Sequence, residues 1–233
     1  MKFPDARLIQ FARYPVLGKV KTRLSTALPD DDILKLHCQL VRHTNLELFQ
    51  SGLAPVDVWL ATDRDITSDD TFLQSLSTST CYPQVGEHLG ERMLNAFSET
   101  LLPRGTADIA LIVGSDCPFV SADLLQEALT VLTSGTDVVL GPAEDGGYYL
   151  IGLRQAHRGI FREIPWGTDK VLDKTLARIH QQGLDFKLLT KLADIDNPED
   201  IPKLILHFIN KFEQQYGGQS AKLSAPTKKL LLD

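Results

Sequence analysis

The stretch DIALIVGSD (108–116) decides the fold, because it joins an unbroken apolar run to an acidic turn. A run of this kind without polar alternation is typical of a strand that is buried on both faces of a parallel sheet. Ligands of open parallel sheets bind beyond the carboxyl ends of the strands. Asp116, which stands at that end, is therefore the first candidate for a functional residue.

Strand-like and helix-like segments alternate on both sides of this run. The predicted strands span 6–12, 55–62, 81–85, 108–116, 137–142, 147–153 and 185–190. The predicted helices span 30–50, 71–76, 89–102, 121–133, 168–182 and 198–215. This alternation predicts βαβ crossovers and an α/β fold in which helices cover both faces of a mainly parallel sheet. We expect residues 1–215 to form one domain and residues 216–233 to form a flexible tail.

The composition is that of an ordinary globular protein with a net negative charge. Of the 233 residues, 43% are hydrophobic and 23% are charged, and the formal net charge is -6. These values exclude a disordered or fibrous chain, and the acidity argues against nucleic-acid binding. Three widely separated cysteines predict neither a disulfide framework nor a structural zinc site. With no apolar segment long enough for a signal peptide or a membrane span, we expect a cytoplasmic protein with small-molecule ligands.

A cationic loop follows the first predicted strand. FARYPVLGKVKTRLS (11–25) contains Arg13, Lys19, Lys21 and Arg23 without an acidic residue. Arg binds phosphate oxygens bidentately, whereas Lys neutralises them as a point charge. The loop therefore predicts a polyphosphate site, and the alternative is a solvated basic loop. We expect substitution of Lys21 and Arg23 by Ala to weaken nucleotide binding without unfolding the protein.

Acidic residues follow two later segments. The carboxylate of Asp116 can hold Mg²⁺, which needs only one or two protein carboxylates beside substrate phosphates. The alternative is an aspartate that bonds to the backbone of its own turn. In ADIDNPED (193–200), the last four residues read as a helix start. Asp194 and Asp196 are left over, and one of them is a candidate for a second metal ligand.

Glycine-containing turns supply weaker candidates. Asp145 precedes Gly146 and Gly147 after a predicted strand. A tight hairpin explains this sequence, and the functional alternative is a ligand that approaches the bare backbone closely. Gly86 stands before a predicted helix whose N-terminus could bind an anion with the help of Arg92; otherwise it only shapes the helix entry.

Three residues near predicted helix starts have weaker signals. Trp166 can stack on a base or a sugar. Thr168 is expected to cap the helix that follows it. His88 lacks any metal-type spacing and is expected at the surface.

Six motifs, taken in order, resemble one bacterial protein family. They span about positions 11 to 201 and read FARYPVLGKVKTRL, GEHLGERM, GSDCP, EDGGYYLIGL, PWGTDKVL and DIDNPEDI. They resemble the GT-A-like radical-SAM/selenodomain-associated transferases, within the nucleotide-diphospho-sugar transferase superfamily. The resemblance implies a three-layer α/β/α sandwich with a nucleotide at the N-terminal half of the sheet. It also implies Mg²⁺ or Mn²⁺ held by the acid after the central strand.

The resemblance implies roles for individual residues. The metal-binding acid maps onto Asp116, and the ending DIDNPEDI, which is similar to the DIDTPEDL of cofactor guanylyl and cytidylyl transferases, places a second ligand at Asp196. The candidate catalytic residues are Lys21, Asp116 and Asp145. The candidate nucleotide or phosphate ligands are Arg13, Gly18, Lys19, Lys21, Arg23, Gly86, Arg92 and Ser115. The candidate substrate or acceptor residues are Gly146, Gly147, Tyr148 and Trp166.

The resemblance favours a transferase that moves a nucleotidyl group from a nucleoside triphosphate to a phosphorylated acceptor. One alternative is glycosyl transfer from a nucleotide sugar, with Asp145 or Glu144 at the sugar or the acceptor. Another is a protein that binds a nucleotide or a sugar phosphate without turnover. The chain has only Gly18 where nucleotidyltransferases have a Gly-rich loop. It has Gly114-Ser115-Asp116 where many glycosyltransferases have Asp-x-Asp.

Overall fold

The computed structural model describes residues 1–67, 69–78 and 80–216, and the side chains up to residue 211. The strands are β1 Ala6–Arg13, β2 Val56–Ala61, β3 Thr80–Pro83, β4 Ile109–Gly114, β5 Val138–Pro142, β6 Tyr148–Leu153 and β7 Phe186–Leu188. The helices are α1 Asp30–Gln50, α2 Thr71–Gln74, α3 Leu89–Thr100, α4 Ala122–Thr133, α5 Val171–Gln181 and α6 Ile201–Tyr216. Each was predicted within a few residues. The predicted flexible tail lies outside the described residues, apart from Tyr216 at the end of α6.

Within the described residues, the strands form one sheet in the order β3-β2-β1-β4-β6-β5-β7. β6 runs antiparallel to both of its neighbours, whereas the other paired strands are parallel. β5 and β6 form the predicted hairpin, which encloses Asp145, Gly146 and Gly147. The carboxyl ends of the six parallel strands therefore meet at one edge of the sheet, together with the beginning of β6.

Alternate residues of β1 and β4 face opposite layers. On one face, Leu8 of β1 and Leu111 of β4 pack with α1 and α4. On the other face, Ile9 and Ile112 pack with α3 and with Ile179 of α5. Side chains of α2 and α6 add smaller clusters on the α1 side. The result is the expected three-layer α/β/α sandwich with a mainly parallel sheet.

Two helix starts test the local capping rules that the sequence suggested. Asn197 and Asp200 form a capping box, with Pro198 at the first position of the turn, as the sequence predicts. Thr168 does not cap α5, because that helix begins at Val171 and its cap residue makes no side-chain hydrogen bond. The Thr168 hydroxyl instead donates to the carbonyl of Pro165, 2.8 Å away, and stabilises the preceding turn.

Membrane-spanning helices are absent from the part of the chain that the structure describes. None of its helices combines the length and the apolar character that crossing a bilayer requires.

Candidate functional site

Two adjoining clefts lie where the parallel strands end. The first has a volume of about 670 Å³ and the second about 600 Å³. Arg13, Ala61, Gln84 and Arg92 line both. Each volume is within the range of small-molecule sites. Their position is the one that the end of DIALIVGSD predicts.

The ammonium group of Lys21 joins two carboxylates at the floor of the first cleft. Nζ lies 2.6 Å from Asp116 Oδ1 and 3.9 Å from Asp196 Oδ1, and it donates to the carbonyl of Ile195 at 2.5 Å. Only 3% of the Lys21 side chain is exposed, against 56% for Asp116. Arg23 completes the group, because its Nη1 donates to Asp196 Oδ2 at 2.7 Å. The two acids that were expected to bind a metal are therefore brought together by two cations of the first loop.

Backbone geometry explains how residues far apart in sequence meet here. Lys21 adopts a left-handed conformation, with φ 44° and ψ 43°, immediately before a short 3-10 turn. The amide of Ile195 donates to the carbonyl of Asp116 at 2.9 Å, which ties the segment before α6 to the loop after β4. The contacts between Lys21, Asp116 and the Ile195 segment are long-range, so no local pattern contains them.

Asp145 and Asp194 form a second acidic group in the first cleft. Asp145 Oδ1 accepts a hydrogen bond from the amide of Gly147 at 2.8 Å, which holds the carboxylate at the β5–β6 turn. Burial raises the pKa of Asp194 to about 6, and the negative charges of Asp145, Asp196 and Asp200 add to this effect. Repulsion between neighbouring carboxylates therefore helps to raise the pKa of Asp194.

Charge is segregated along the edge of the sheet. The segments after β1, β2 and β3 place four cations in the clefts, namely Arg13, Lys19, Arg64 and Arg92. Asp63 and Glu87 are the acids of this half. The segments that follow β4, β5, β6 and β7 place five carboxylates in the first cleft, namely Asp116, Asp145, Asp169, Asp194 and Asp196. Lys21 and Arg23 lie at the boundary, already paired with acids.

The cationic half is held in place by the backbone. Arg13 Nη1 donates to the carbonyl of Lys19 at 3.0 Å, which folds the first loop back on itself. His37 of α1 donates to the carbonyl of Arg13 at 2.9 Å, and burial lowers the pKa of this histidine. Arg92 Nε donates to the carbonyl of Gly86 at 3.0 Å. These bonds orient the two guanidinium groups towards the clefts.

A buried polar network supports the loop that carries Asp116. The Gln10 side chain is fully buried in β1; its Nε2 donates to Ser115 Oγ at 2.9 Å and to the Val41 carbonyl at 2.8 Å. Asn45 donates to Gln10 Oε1 at 3.0 Å, and the Ser115 hydroxyl donates to the Phe11 carbonyl at 3.1 Å. Ser115 was expected to bind phosphate, but its hydroxyl is engaged within the fold. A single glutamine inside the apolar run ARLIQFA was the only sequence signal for this network.

Tyr148 and Trp166 form an aromatic wall in the first cleft. Trp166 packs on Gly90 of α3 so closely that a Cβ atom there would lie 2.6 Å from the indole ring. Tyr148 meets Trp166 edge-on, with ring centroids 6.5 Å apart. At Gly146 (φ 89°), a Cβ atom would lie 2.2 Å from the carbonyl oxygen of Asp169. The bare backbone of Gly146 therefore admits a neighbouring loop of the protein rather than a ligand.

Most of the predicted site residues line the clefts. The first cleft contains Arg13, Arg23, Arg92, Ser115, Asp116, Asp145, Gly147, Tyr148, Trp166 and Asp196, and the second contains Arg13, Lys19, Gly86 and Arg92. Gly18, Lys21 and Gly146 line neither cleft. Lys21 lies beneath the floor of the first cleft. Gly18 lies in the loop after β1, where its φ is 70°.

The sequence analysis missed Gln84, Arg64 and Asp169, which also line the clefts. Gln84 directly follows β3, so the rule of strand ends could have found it. His88 is exposed, as expected; its Nδ1 also caps α3, and the residue lines the first cleft.

No group of three His, Cys, Asp or Glu side chains is placed to hold a metal ion within residues 1–67, 69–78 and 80–216. Two carboxylates are enough for Mg²⁺ when substrate phosphates supply further oxygens. The donor set of Asp116 and Asp196 thus fits a metal that binds together with a phosphorylated ligand.

The fold and the cleft define the class: this is an α/β protein with the fold of the nucleotide-diphospho-sugar transferases. A protein from Desulfovibrio desulfuricans G20, provisionally described as a nucleotide-diphospho-sugar transferase, is 29% identical, with a TM-score of 0.79. The match covers 98% of this chain and 94% of that chain.

The chain belongs to the family described as "Uncharacterized protein conserved in bacteria (DUF2064)", which matches residues 45–168. Among curated proteins, none matches the sequence.

More distant solved structures share the fold. CMP:2-keto-3-deoxy-manno-octonic acid synthetase, solved with CTP, is 14% identical with a TM-score of 0.59, over 89% of this chain and 99% of that chain. Rv0371c from Mycobacterium tuberculosis H37Rv, solved with manganese, is 15% identical with a TM-score of 0.50, over 88% and 99%. These two likenesses establish the fold alone.

Proposed function

We propose that this protein is a divalent-metal-dependent transferase that uses a nucleotide donor. The observation that carries the proposal is the junction of Lys21, Asp116 and Asp196, which lies where the cationic half of the clefts meets the acidic half. Cations neutralise phosphates and carboxylates hold a divalent ion, so the junction combines the two requirements of chemistry at a phosphate. The 29% identity to a provisionally described nucleotide-diphospho-sugar transferase supports the same class.

The donor's phosphates bind in the cationic half in this proposal. Arg13 and Arg92 line both clefts, and Lys19 lines the second. An Arg can grip two phosphate oxygens at once, whereas Lys19 contributes a point charge. The second cleft, about 600 Å³, leaves room for the nucleoside.

Asp116 and Asp196 would hold the divalent ion in this proposal. When bound, the ion supplies charge neutralisation at the donor's phosphates. Lys21 lies between the same two carboxylates and keeps them close together. Arg23, with 59% of its side chain exposed, is free to move from Asp196 to a phosphate oxygen.

Nucleotidyl transfer is the first candidate reaction. An acceptor oxygen would form a bond to the α-phosphorus of a nucleoside triphosphate while the bond to pyrophosphate breaks. The acceptor's proton would pass to solvent or to a carboxylate of the acidic half. Arg23 and Lys19 would stabilise the departing pyrophosphate, and the cleft would contribute mainly positioning and electrostatic stabilisation.

Glycosyl transfer from a nucleotide sugar is the second candidate. The observation that favours it is the position of Asp145 and Gly147 in the cleft, beside Tyr148 and Trp166. Carboxylates accept hydrogen bonds from sugar hydroxyls, and an aromatic ring covers the apolar face of a sugar. In this reaction, the same cations would bind the donor's diphosphate.

A thermal-shift panel of nucleoside triphosphates and nucleotide sugars, with and without Mg²⁺ or Mn²⁺, tests the proposal. A ligand at 100 times its Kd stabilises a protein by about 2.7 kcal/mol. We expect a metal-dependent stabilisation of the wild type that Asp116→Asn reduces. Pyrophosphate release would then identify nucleotidyl transfer, and release of a nucleoside phosphate would identify glycosyl transfer. Binding without any product would support a non-catalytic protein, and the absence of binding would contradict the proposal.

A further inference from the structure

We propose that the acidic end of the first cleft binds an acceptor that carries no negative charge, and whose hydroxyl or ammonium groups donate to Asp145 and Asp194. This inference rests on the proposed transferase function, because it assigns the cationic half to the donor. It names the acceptor class as a neutral polyol, such as a sugar, or its amine analogue. It departs from the phosphorylated acceptor that the sequence favours.

The pairing of charges in the first cleft favours a ligand without negative charge at the acidic end. Lys21 and Arg23 are engaged by Asp116 and Asp196, and Lys203 is engaged by Glu144. In the described part of the chain, Asp145, Asp169 and Asp194 have no cationic side chain within 4.0 Å, although all three line the cleft. Their charge therefore faces the ligand rather than another residue of the protein.

The hydrogen-bonding capacity of the acidic end favours a ligand that donates hydrogen bonds. An ionised carboxylate only accepts hydrogen bonds, so Asp145 and Asp194 are suited to donors such as hydroxyl and ammonium groups. Among the described residues, only the amide of Gly147 donates to Asp145, and this bond leaves the other carboxylate oxygen available. A phosphate monoester offers mainly acceptor oxygens and about two negative charges at neutral pH. Beside Asp145, Asp169 and Asp194 it would therefore meet like charges.

The aromatic wall favours a ligand that also has an apolar face. Tyr148 and Trp166 line the same cleft as these carboxylates, and the close packing of Trp166 on Gly90 holds the indole ring in place. An apolar face beside hydrogen-bond acceptors matches a molecule with a carbon skeleton and peripheral hydroxyl groups. A cavity of about 670 Å³ accommodates such a molecule beside the donor's phosphates.

The electrostatic premise can be measured through Trp166. The chain contains two tryptophans, so a Trp59→Phe variant leaves Trp166, three residues before Asp169 in the same cleft, as the reporter. Trp59 is buried in β2 and stacks on Tyr82, a contact that Phe can keep. At constant ionic strength, we expect caesium to quench Trp166 more efficiently than iodide. Equal quenching, or stronger quenching by iodide, would overturn the inference.

The ligand class is tested with matched probes in the same Trp59→Phe protein. Glucose, glucosamine and glucose 6-phosphate are titrated while the emission of Trp166 is recorded. We expect glucose or glucosamine to act at concentrations at least about tenfold lower than glucose 6-phosphate, because like charges oppose the phosphate. The difference in effective concentration between these sugars and glucose 6-phosphate should shrink in Asp145→Asn. It should also shrink in the double variant that carries Asp194→Asn as well. The Asp145→Asn variant keeps an acceptor oxygen for the amide of Gly147, so it remains informative if the double variant folds poorly.

Asp108→Asn is the matched control, because Asp108 is exposed at the opposite edge of the sheet and its replacement changes the net charge equally. The Asp108→Asn variant should keep the preference for glucose or glucosamine over glucose 6-phosphate. An equal or stronger response to glucose 6-phosphate, or no response to any of the three probes, would overturn the inference. The nucleotide panel reports on the proposed function separately, so a protein that binds nucleotides but fails this test would still be a nucleotide-dependent transferase.

Discussion

Two neighbouring cations of the first loop have different roles. Lys21 is almost fully buried, and Asp116 and the Ile195 carbonyl depend on its ammonium group. The Arg23 side chain is mostly exposed, and its ion pair with Asp196 is a surface contact. The expectation that both can be replaced without harm to the fold therefore applies only to Arg23.

We predict that Lys21→Ala lowers the free energy of unfolding by about 1–3 kcal/mol, because it leaves the carbonyl of the buried Ile195 without its donor. Arg23→Ala should change it by less than about 1 kcal/mol. Both variants should bind nucleoside triphosphates more weakly than the wild type. Urea denaturation and nucleotide titration measure the two effects. Equal stability of the two variants would contradict the distinction.

Gln10 is the second residue whose effect is decided by its contacts. Replacement by Leu removes two donated hydrogen bonds and one accepted hydrogen bond in a fully buried position. Buried groups left without partners are costly, so we predict a loss of about 2–4 kcal/mol. Leu8→Met, on the same face of the same strand, is the control and should cost less than about 1.5 kcal/mol. If both variants unfold at the same urea concentration, the network does not stabilise the fold.

At the scale of elements, the β5–β6 turn packs against the loop before α5. The amide of Leu172 donates to the carbonyl of Gly146 at 2.9 Å, and the backbone of Asp169 occupies the space where a side chain at Gly146 would lie. The turn therefore positions Asp145 and the segment around Trp166 together. A change at Gly146 should disturb both the hairpin and the aromatic wall.

We predict that Gly146→Ala lowers the free energy of unfolding by at least about 2 kcal/mol more than Gly135→Ala does, because only Gly146→Ala adds a steric clash. Both glycines have positive φ (89° and 114°), but nothing lies within 4 Å of a Cβ atom at Gly135. Strain from φ should cost about 1–2 kcal/mol at each position. The emission of Trp166 in a Trp59→Phe background should shift with Gly146→Ala alone. Equal costs would show that the loop adapts to the added methyl group.

At the scale of the whole molecule, α6 packs on α1 through histidines. His207 of α6 meets His43 and Phe119 edge-on, and His207 Nε2 is buried without a hydrogen-bond partner among the described side chains. Burial is the main cause that lowers the pKa of His207, and the charges of His43 and Lys211 act in the same direction. Glu47 acts in the opposite direction.

We predict that His207→Phe makes the protein less sensitive to mild acid. The folded pKa of His207 is below its unfolded value of about 6.5, so the unfolded chain binds the proton more tightly. The stability that this residue contributes is present above about pH 6.5 and decreases as the pH falls below it. Urea denaturation of both proteins from about pH 8 to about pH 5 should show a difference that grows in favour of the variant. A pH-independent difference between His207→Phe and the wild type would contradict the assignment.

Local patterns were sufficient for most elements and for part of the site. Apolar runs and helix periodicity predicted each strand and helix within a few residues, and the end of DIALIVGSD predicted the position of the cleft. The composition of the first loop predicted its cations, but it could not show which were free. Whether Lys21 and Arg23 are already paired depends on Ile195 and Asp196, which lie more than 170 positions later in the chain.

The sequence by itself therefore determined the α/β architecture, the edge of the sheet at which the clefts lie and the residue types gathered there. These features depend on the periodicity of neighbouring residues and on the rule that parallel strands end on one side. Only the tertiary structure decided that Lys21 is buried between two acids, that Gln10 supports the Asp116 loop and that positive and negative charges occupy opposite halves of the clefts. Such features depend on distances between segments remote in sequence, and burial and electrostatic interactions are set by those distances.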